Sequence, residues 1–234
     1  MDSRHLAWDG CHNVRDLGGL PVAGGLRTRW GALVRADTPD RLTEAGWRAA
    51  AAHGVRTIVD LRVPGEHRTP PGLRPPGMTV VAAPLHEPGE RHEHSGTPLY
   101  LRAFLERRAE RCVRVLRAVA AAPPGGVLVH CVAGRDRTGL VVLLLLALAG
   151  ADAADIAADY ELSAGRLRPL YALLGEPDDD LRVQAYLDRA GTTARAAVLS
   201  ALDGAGRRLA AAGLTEGEAA ALRRRLIDDG RTPA

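Results

Sequence analysis

The chain has 234 residues, 46% apolar and 25% charged, with a formal charge of +3 and a pI near 9.0. That length buries a substantial core in one domain, and the mixture excludes a disordered or fibrous chain. The basic residues, every one an arginine, are spread among 28 acids, so a nucleic-acid partner is not expected, whereas small anions are allowed.

In chain order, Leu26 to Ala36 mixes apolar residues with arginine and tryptophan around Gly31 and predicts an irregular strand pair. Thr38 to Gly54 has helical apolar spacing, a cap at Thr38 or Asp40 and a glycine stop. The β-branched run VRTIVDLR, Val55 to Arg62, predicts a buried strand. Pro64 to Gly77 is dense in proline, glycine and charge and predicts a surface loop; Met78 to Leu85 predicts another strand. A polar, histidine-rich stretch runs from His86 to Pro98, and a helix with arginine on one face from Leu99 to Ala122. Pro123 to Gly126 breaks that helix, and GVLVHC opens a third buried strand. The apolar run Leu140 to Ala149 follows as a helix, and the remainder alternates helical periods with glycine stops. The order implies an α/β domain over residues 1–234, with a central mostly parallel sheet flanked by helices and an all-helical C-terminal third.

Cys11, Cys112 and Cys131 are odd in number at no framework spacing, and MDSRHLAWDG has no signal pattern, so a reducing cytoplasm is expected. The longest apolar run, Leu140 to Ala149, is ten residues, about half of the ~20 that cross a bilayer. No membrane span is expected.

Between the strand VLVH and the apolar helix lies HCVAGRDRTG, His130 to Gly139. A turn at the C-terminal end of a strand that opens a helix is where α/β sheets bind ligands. Its backbone N–H groups and the positive helix end make a nest for an oxyanion, and here the nest comprises Val132, Ala133, Gly134 and Arg135. A cysteine beside Arg135 and Arg137 at such a site has its thiolate stabilised, which lowers a thiol pKa from about 8.5 toward roughly 3.5–7.5. Cys131 then acts as a nucleophile. Arg137 grips two phosphoryl oxygens with its planar fork, Thr138 donates its hydroxyl to the sulfur, and Gly134 permits a turn that a side chain would obstruct. These parts suffice for displacement at phosphorus through a cysteinyl-phosphate, without metal or other cofactor.

HCVAGRDRTG, with NVRDLGG (Asn13 to Gly19), VDLR (Val59 to Arg62) and ADYELS (Ala158 to Ser163), resembles the PtpB-type bacterial tyrosine/lipid phosphatases, members of the cysteine-dependent protein tyrosine phosphatase superfamily. The resemblance covers most of the chain and is weakest between Pro64 and Pro98 and in the last thirty residues. It implies the fold of that superfamily, Cys131 as nucleophile, Arg137 as phosphate clamp and Asp136 as general acid. Asp60, at the end of a strand, is the alternative acid, and Asp136 could instead be a helix N-cap. Arg15 and Asp16 match family residues near the site, or tie down the N-terminal segment. His130 is expected to hydrogen-bond backbone around the sulfur. The family usually has lysine at the position of Arg135, and a fork is not a point charge, so a phosphoinositide preference stays open. A helical lid is implied over Ser163 to Leu187.

The expected partner is a phosphorylated substrate: a phosphotyrosyl protein, a phosphoinositide, or a small metabolite such as a sugar or nucleotide intermediate. Aromatic residues make up only 3%, which leaves few rings to sandwich a phosphotyrosine and adds weight to the metabolite. A phosphate-binding module without catalysis is a second class. The segment His86 to His94 offers His92, His94, Glu87 and Glu90 as zinc ligands for a metal-dependent hydrolase, although a solvated polar loop is the expected reading. Cys11 could approach Cys131 and form a protective disulfide, the preferred reading being an unpaired thiol. Cys112 is expected in the core.

Overall fold

The computed structural model describes residues 4–66 and 74–228. The strands β1 (Arg15–Asp16), β2 (Arg27–Thr28) and β3 (Leu33–Ala36) come first, then a 3₁₀ turn over Pro39–Arg41 and helix α1 (Glu44–Ala52). Strands β4 (Val55–Asp60) and β5 (Thr79–Ala82) precede the long helix α2 (Leu99–Ala120), and β6 (Gly126–His130) leads into α3 (Asp136–Ala149). Helices α4 (Ala153–Leu174), α5 (Asp179–Arg189), α6 (Ala194–Leu202), α7 (Ala205–Ala211) and α8 (Glu216–Leu226) follow, and β7 (Ile227–Asp228) ends the described chain.

The main sheet has the order β1-β3-β6-β4-β5, with β1 antiparallel at one edge and the other four strands parallel. This is the expected α/β class. Alternation along the strands sorts the side chains into two cores. Leu33, Val59, Val127 and Val129 join the α2 and α3 side chains, while Val34, Ala36, Ile58 and Leu128 pack with Trp47 and Ala50 of α1. Strand β6 has a parallel neighbour on each side and is buried along its length, which is why it reads as an unbroken apolar run. Helix α3 is apolar on every side because it, too, is covered, with α2, α4 and α8 packed around it.

Some expectations shift. Leu26 to Ala36 holds two strands that do not pair with each other: β2 pairs with β7, and β3 lies between β1 and β6. Thr38 caps the 3₁₀ turn, and the hydroxyl that caps α1 is that of Thr43, accepting from the Gly46 amide at 3.2 Å. The C-terminal third is helical apart from β7. The expected loop Pro64 to Gly77 lies partly outside the described residues, as do the last six positions.

Register places the site. Ala36, His130 and Asp60 stand on one rung of the sheet, so β3, β6 and β4 deliver their next residues, Asp37, Cys131 and Leu61, to the same edge. The loop that starts at Cys131 is thereby flanked by Asp37 and Thr38 on one side and by Asp60 to Arg62 on the other.

Candidate active site

Cys131 is nearly buried at the C-terminal end of β6 and lines a pocket of about 270 Å³ with Glu66, His86, Tyr100, Asp136 and Arg137. The loop behind it is shaped by its carbonyls, each drawn outward by a different donor. His130 Nδ1 reaches the Cys131 carbonyl at 3.0 Å, the Thr38 amide that of Val132 at 2.8 Å, Asn13 Nδ2 that of Ala133 at 3.0 Å, and Arg35 Nη2 that of Gly134 at 2.7 Å. In a trans peptide the N–H points opposite to the preceding C=O. The amides of Val132, Ala133, Gly134 and Arg135 therefore face away from those anchors, and none makes a backbone hydrogen bond among the described residues. This is a nest suited to an oxyanion. Gly134 has φ +68, and a Cβ there would stand 2.2 Å from the Ala36 carbonyl oxygen; only glycine fits so close to β3.

The donors are themselves locked. Arg35 Nη1 and Arg15 Nε bind the two oxygens of Asp159 at 2.7 and 2.9 Å, and Arg15 Nη1 donates to Asn13 Oδ1 at 2.6 Å. Both guanidiniums also reach the Ser163 hydroxyl. Burial pushes the Asp159 carboxyl up, but the charges of Arg15 and Arg35 outweigh it and hold the group below the usual carboxylate range. Burial, helped by repulsion from Arg35, lowers Arg15 to about 9 despite Asp159. The motifs NVRD and ADYELS thus meet beneath the loop.

His130 is buried, its Nδ1 toward the Cys131 carbonyl and its Nε2 3.7 Å from Asp60 Oδ2. A carbonyl only accepts, so Nδ1 carries the proton. Burial lowers the pKa of the ring and keeps it neutral. Asp60 does not line the Cys131 pocket: its carboxylate accepts from the Arg62 amide at 2.9 Å and from Arg62 Nε and Nη2 at 3.0 and 2.9 Å. Burial raises its pKa, yet the hydrogen bonds and charge of Arg62 prevail and keep it low, an environment that suits a fixed anion better than a proton donor. Asp136 does line the pocket. It starts α3, and its Oδ1 accepts from the Tyr160 hydroxyl at 3.0 Å.

Arg137 Nη1 and Nη2 donate to the two oxygens of Glu66 at 2.8 and 2.9 Å. Burial lowers the guanidinium pKa, but Glu66 and the nearby Cys131 more than reverse this. The pairing uses the end of the fork and leaves its side edge, Nε–H with an adjacent Nη, for an oxyanion. Arg135 turns elsewhere: its Nη2 donates to Asp179 of α5 at 2.7 Å and to the Gly96 carbonyl at 3.1 Å. Its contribution to the nest is the amide. The buried hydroxyl of Thr138 makes no hydrogen bond among the described residues, so the expected bond to the sulfur is not formed. Arg15 acts through Asp159, and Asp16 lies away from the pocket, accepting from the Gly18 and Gly31 amides at 2.7 and 2.8 Å and pairing with His53 at 2.6 Å.

The three cysteines are free and buried. Cys11 donates to Asp37 Oδ1 at 2.7 Å within the α1-side core, whereas Cys131 and Cys112 belong to the other core. The histidines of the 86–98 segment are used in packing. His86 and His92 stack 3.9 Å apart against Tyr100 and Phe104, and His94 Nδ1 bonds the Tyr186 hydroxyl at 2.8 Å. No cluster of three or more His, Cys, Asp or Glu suited to a metal occurs among the described residues.

Sequence reasoning missed Arg35, Glu66, His86, Tyr100 and Tyr160. An arginine inside the apolar run LVRA was a signal, since a charge in mid-strand needs a buried partner. Glu66 and His86 sit in loops, whose direction no periodicity reports.

The sequence profile of the tyrosine phosphatase family matches residues 6–228. The chain belongs to that family. It is 38% identical over 173 residues to a Cupriavidus necator protein named by inference as a tyrosine-protein phosphatase, covering 68% of this chain and 63% of the relative. A tyrosine-protein phosphatase of Nostoc commune is 34% identical over 158 residues, 63% of this chain and 51% of its own. The triple specificity protein phosphatase PtpB of Mycobacterium tuberculosis is 31% identical over 204 residues, 71% of this chain and 72% of its own. The PtpB-type resemblance is thereby borne out, and the chain spans between half and two thirds of the length of the first two relatives.

Proposed function

We propose that the chain is a cysteine-dependent phosphatase that hydrolyses phosphomonoesters through a cysteinyl-phosphate. The observation that carries this reading is the outward anchoring of the Cys131, Val132, Ala133 and Gly134 carbonyls, which turns the amides after Cys131 toward its pocket. In the first step the Cys131 thiolate attacks phosphorus, the S–P bond forms and the P–O bond to the leaving group breaks. Asp136, the carboxyl that lines the pocket, gives the departing oxygen a proton. Water then attacks the phosphocysteine, Asp136 takes a proton back, and phosphate leaves with Cys131 regenerated. The nest amides and the free edge of Arg137 hold the equatorial oxygens while charge builds on them. His130, neutral and anchored to the Cys131 carbonyl, positions the loop.

The pocket wall favours an aryl ester. Tyr100 and His86, joined by a 2.8 Å hydrogen bond, line it, and so put two rings beside the place where a phenyl ring would lie. Ser163 to Leu187 spans the second half of α4 and most of α5; beyond the Ser163 anchor, its α5 part serves as a lid fastened by Arg135 and Asp179. No helix among the described residues is long and apolar enough to cross a membrane, and three free thiols suit a reducing cytoplasm.

The test is quench-flow with a radiolabelled aryl phosphate in EDTA. Label is expected on Cys131, with no turnover by Cys131→Ser. Label on another residue, or turnover surviving that substitution, would overturn the mechanism.

A further inference from the structure

Beside the catalytic pocket lies a larger cavity of about 640 Å³. The two share Glu66, Val132 and Ala133 as lining residues, so the second opens along the outer rim of the Cys131 loop. One wall is apolar: Leu170, Tyr171 and Leu174, from the last turns of α4, stand with Val132. Leu174 and Val132 are 44% and 40% exposed, large apolar groups left uncovered in a concave place.

The polar wall is nearly saturated. Arg62 gives Nη1 to Asp40 at 2.6 Å and to the Thr38 hydroxyl at 2.8 Å, and Nη2 to Asp60 at 2.9 Å, while Glu66 is committed to Arg137. Arg41 differs. Its Nη1 is a buried donor with no hydrogen-bond partner among the described residues, a costly condition that native structures rarely leave unmet. The charges that remain along the lining are Arg41 and Glu176, one of each sign. A polyanionic headgroup would meet as many carboxylates as guanidiniums. A polypeptide matches better, because each residue offers a carbonyl to a donor and an amide to an acceptor next to a side chain.

We propose that this cavity is a leaving-group subsite for the polypeptide beside a phosphorylated tyrosine, taking one apolar side chain against α4 and one backbone carbonyl on Arg41. The proposal rests on the phosphatase reading above and narrows its substrate to phosphoproteins with an apolar neighbour. Leu174 and Arg41 are its specificity determinants.

The experiment compares kcat/KM for phosphotyrosyl peptides bearing Leu, Ala or Asp on either side of the phosphotyrosine, with p-nitrophenyl phosphate as a reference that has no flank. The wild-type enzyme is expected to favour Leu over Asp at one flank by about tenfold, the scale of an apolar side chain entering a fitted pocket. Leu174→Asp should reduce that preference to about twofold or less. Arg41→Ala should lower the ratio of peptide to p-nitrophenyl phosphate turnover for every peptide, chiefly through KM. Equal rates on all peptides, a preference that survives Leu174→Asp, or a soluble phosphoinositide outrunning every peptide would overturn the proposal. Failure to hydrolyse p-nitrophenyl phosphate would strike the phosphatase reading itself, so the two failures are distinguishable.

Discussion

The loop around Cys131 is held from two sides by opposite kinds of ionic contact. Beneath it, Arg15, Arg35 and Asp159 are each no more than 1% exposed, with ion-pair distances of 2.7–2.9 Å. Toward α5, Arg135 meets Asp179 at a similar 2.7 Å, but the carboxylate is 21% exposed. Distance does not separate the two; water does. Two charges that have lost their hydration cannot part without leaving each other uncompensated, whereas in the second pair the guanidinium is only 7% exposed but water reaches the carboxylate, which can exchange its partner for solvent at less cost. The underside is a fixture and the α5 side a latch, which is what the proposed lid over a loop of constant shape requires.

The largest effect expected is on the fixture. Asp159→Ala strands Arg15 and Arg35 in the core, and urea unfolding should show a loss of about 3–5 kcal/mol; a loss below ~1 kcal/mol would place that triad in the same class as a surface pair. Next comes Glu66→Gln, which keeps one acceptor and removes the charge from the fork. A rise in KM for p-nitrophenyl phosphate of about tenfold is expected, the equivalent of ~1.4 kcal/mol.

A smaller effect should appear on acidification. Burial and the charges of His92 and Arg137 lower His86 to about 3, while an unfolded histidine titrates near ~6.5. Between those values the unfolded chain binds a proton that the fold refuses, so stability is complete above pH ~6.5 and declines as pH falls toward 3. Thermal melts from pH 7 to 4 should drop by about 3 °C more in the wild type than in His86→Asn. The least effect belongs to the latch: Asp179→Asn should change global stability by less than ~1 kcal/mol, yet hasten hydrogen exchange across α5 in a way that added salt imitates in the wild type. Equal protection in both proteins at all salt concentrations would show that something other than Arg135 fastens α5.

Contrast between local and distant determinants also explains what could be read from the chain. The run VLVH, the ten apolar residues after Gly139 and the intervening turn all lie between Val127 and Ala149, so strand, helix and loop were legible together. The pairing of β2 with β7 joins Arg27 to Asp228, and no local pattern in Leu26 to Ala36 announces a partner two hundred residues away. Arg135 is similar: its type suggested an anion, but its direction is decided by Asp179, and in this structure the anion is the protein's own. The proposed choice of Asp136 over Asp60 likewise rests on where Arg62 points.

The shared rung of Ala36, His130 and Asp60 makes the ladder of backbone bonds a ruler for the chemistry. Deleting one residue from β6 would turn every following side chain to the opposite face, carrying the sulfur from the α3 side to the α1 side. Composition and hydrophobicity would hardly change. The centre tolerates substitution along the strand far better than any change in its length.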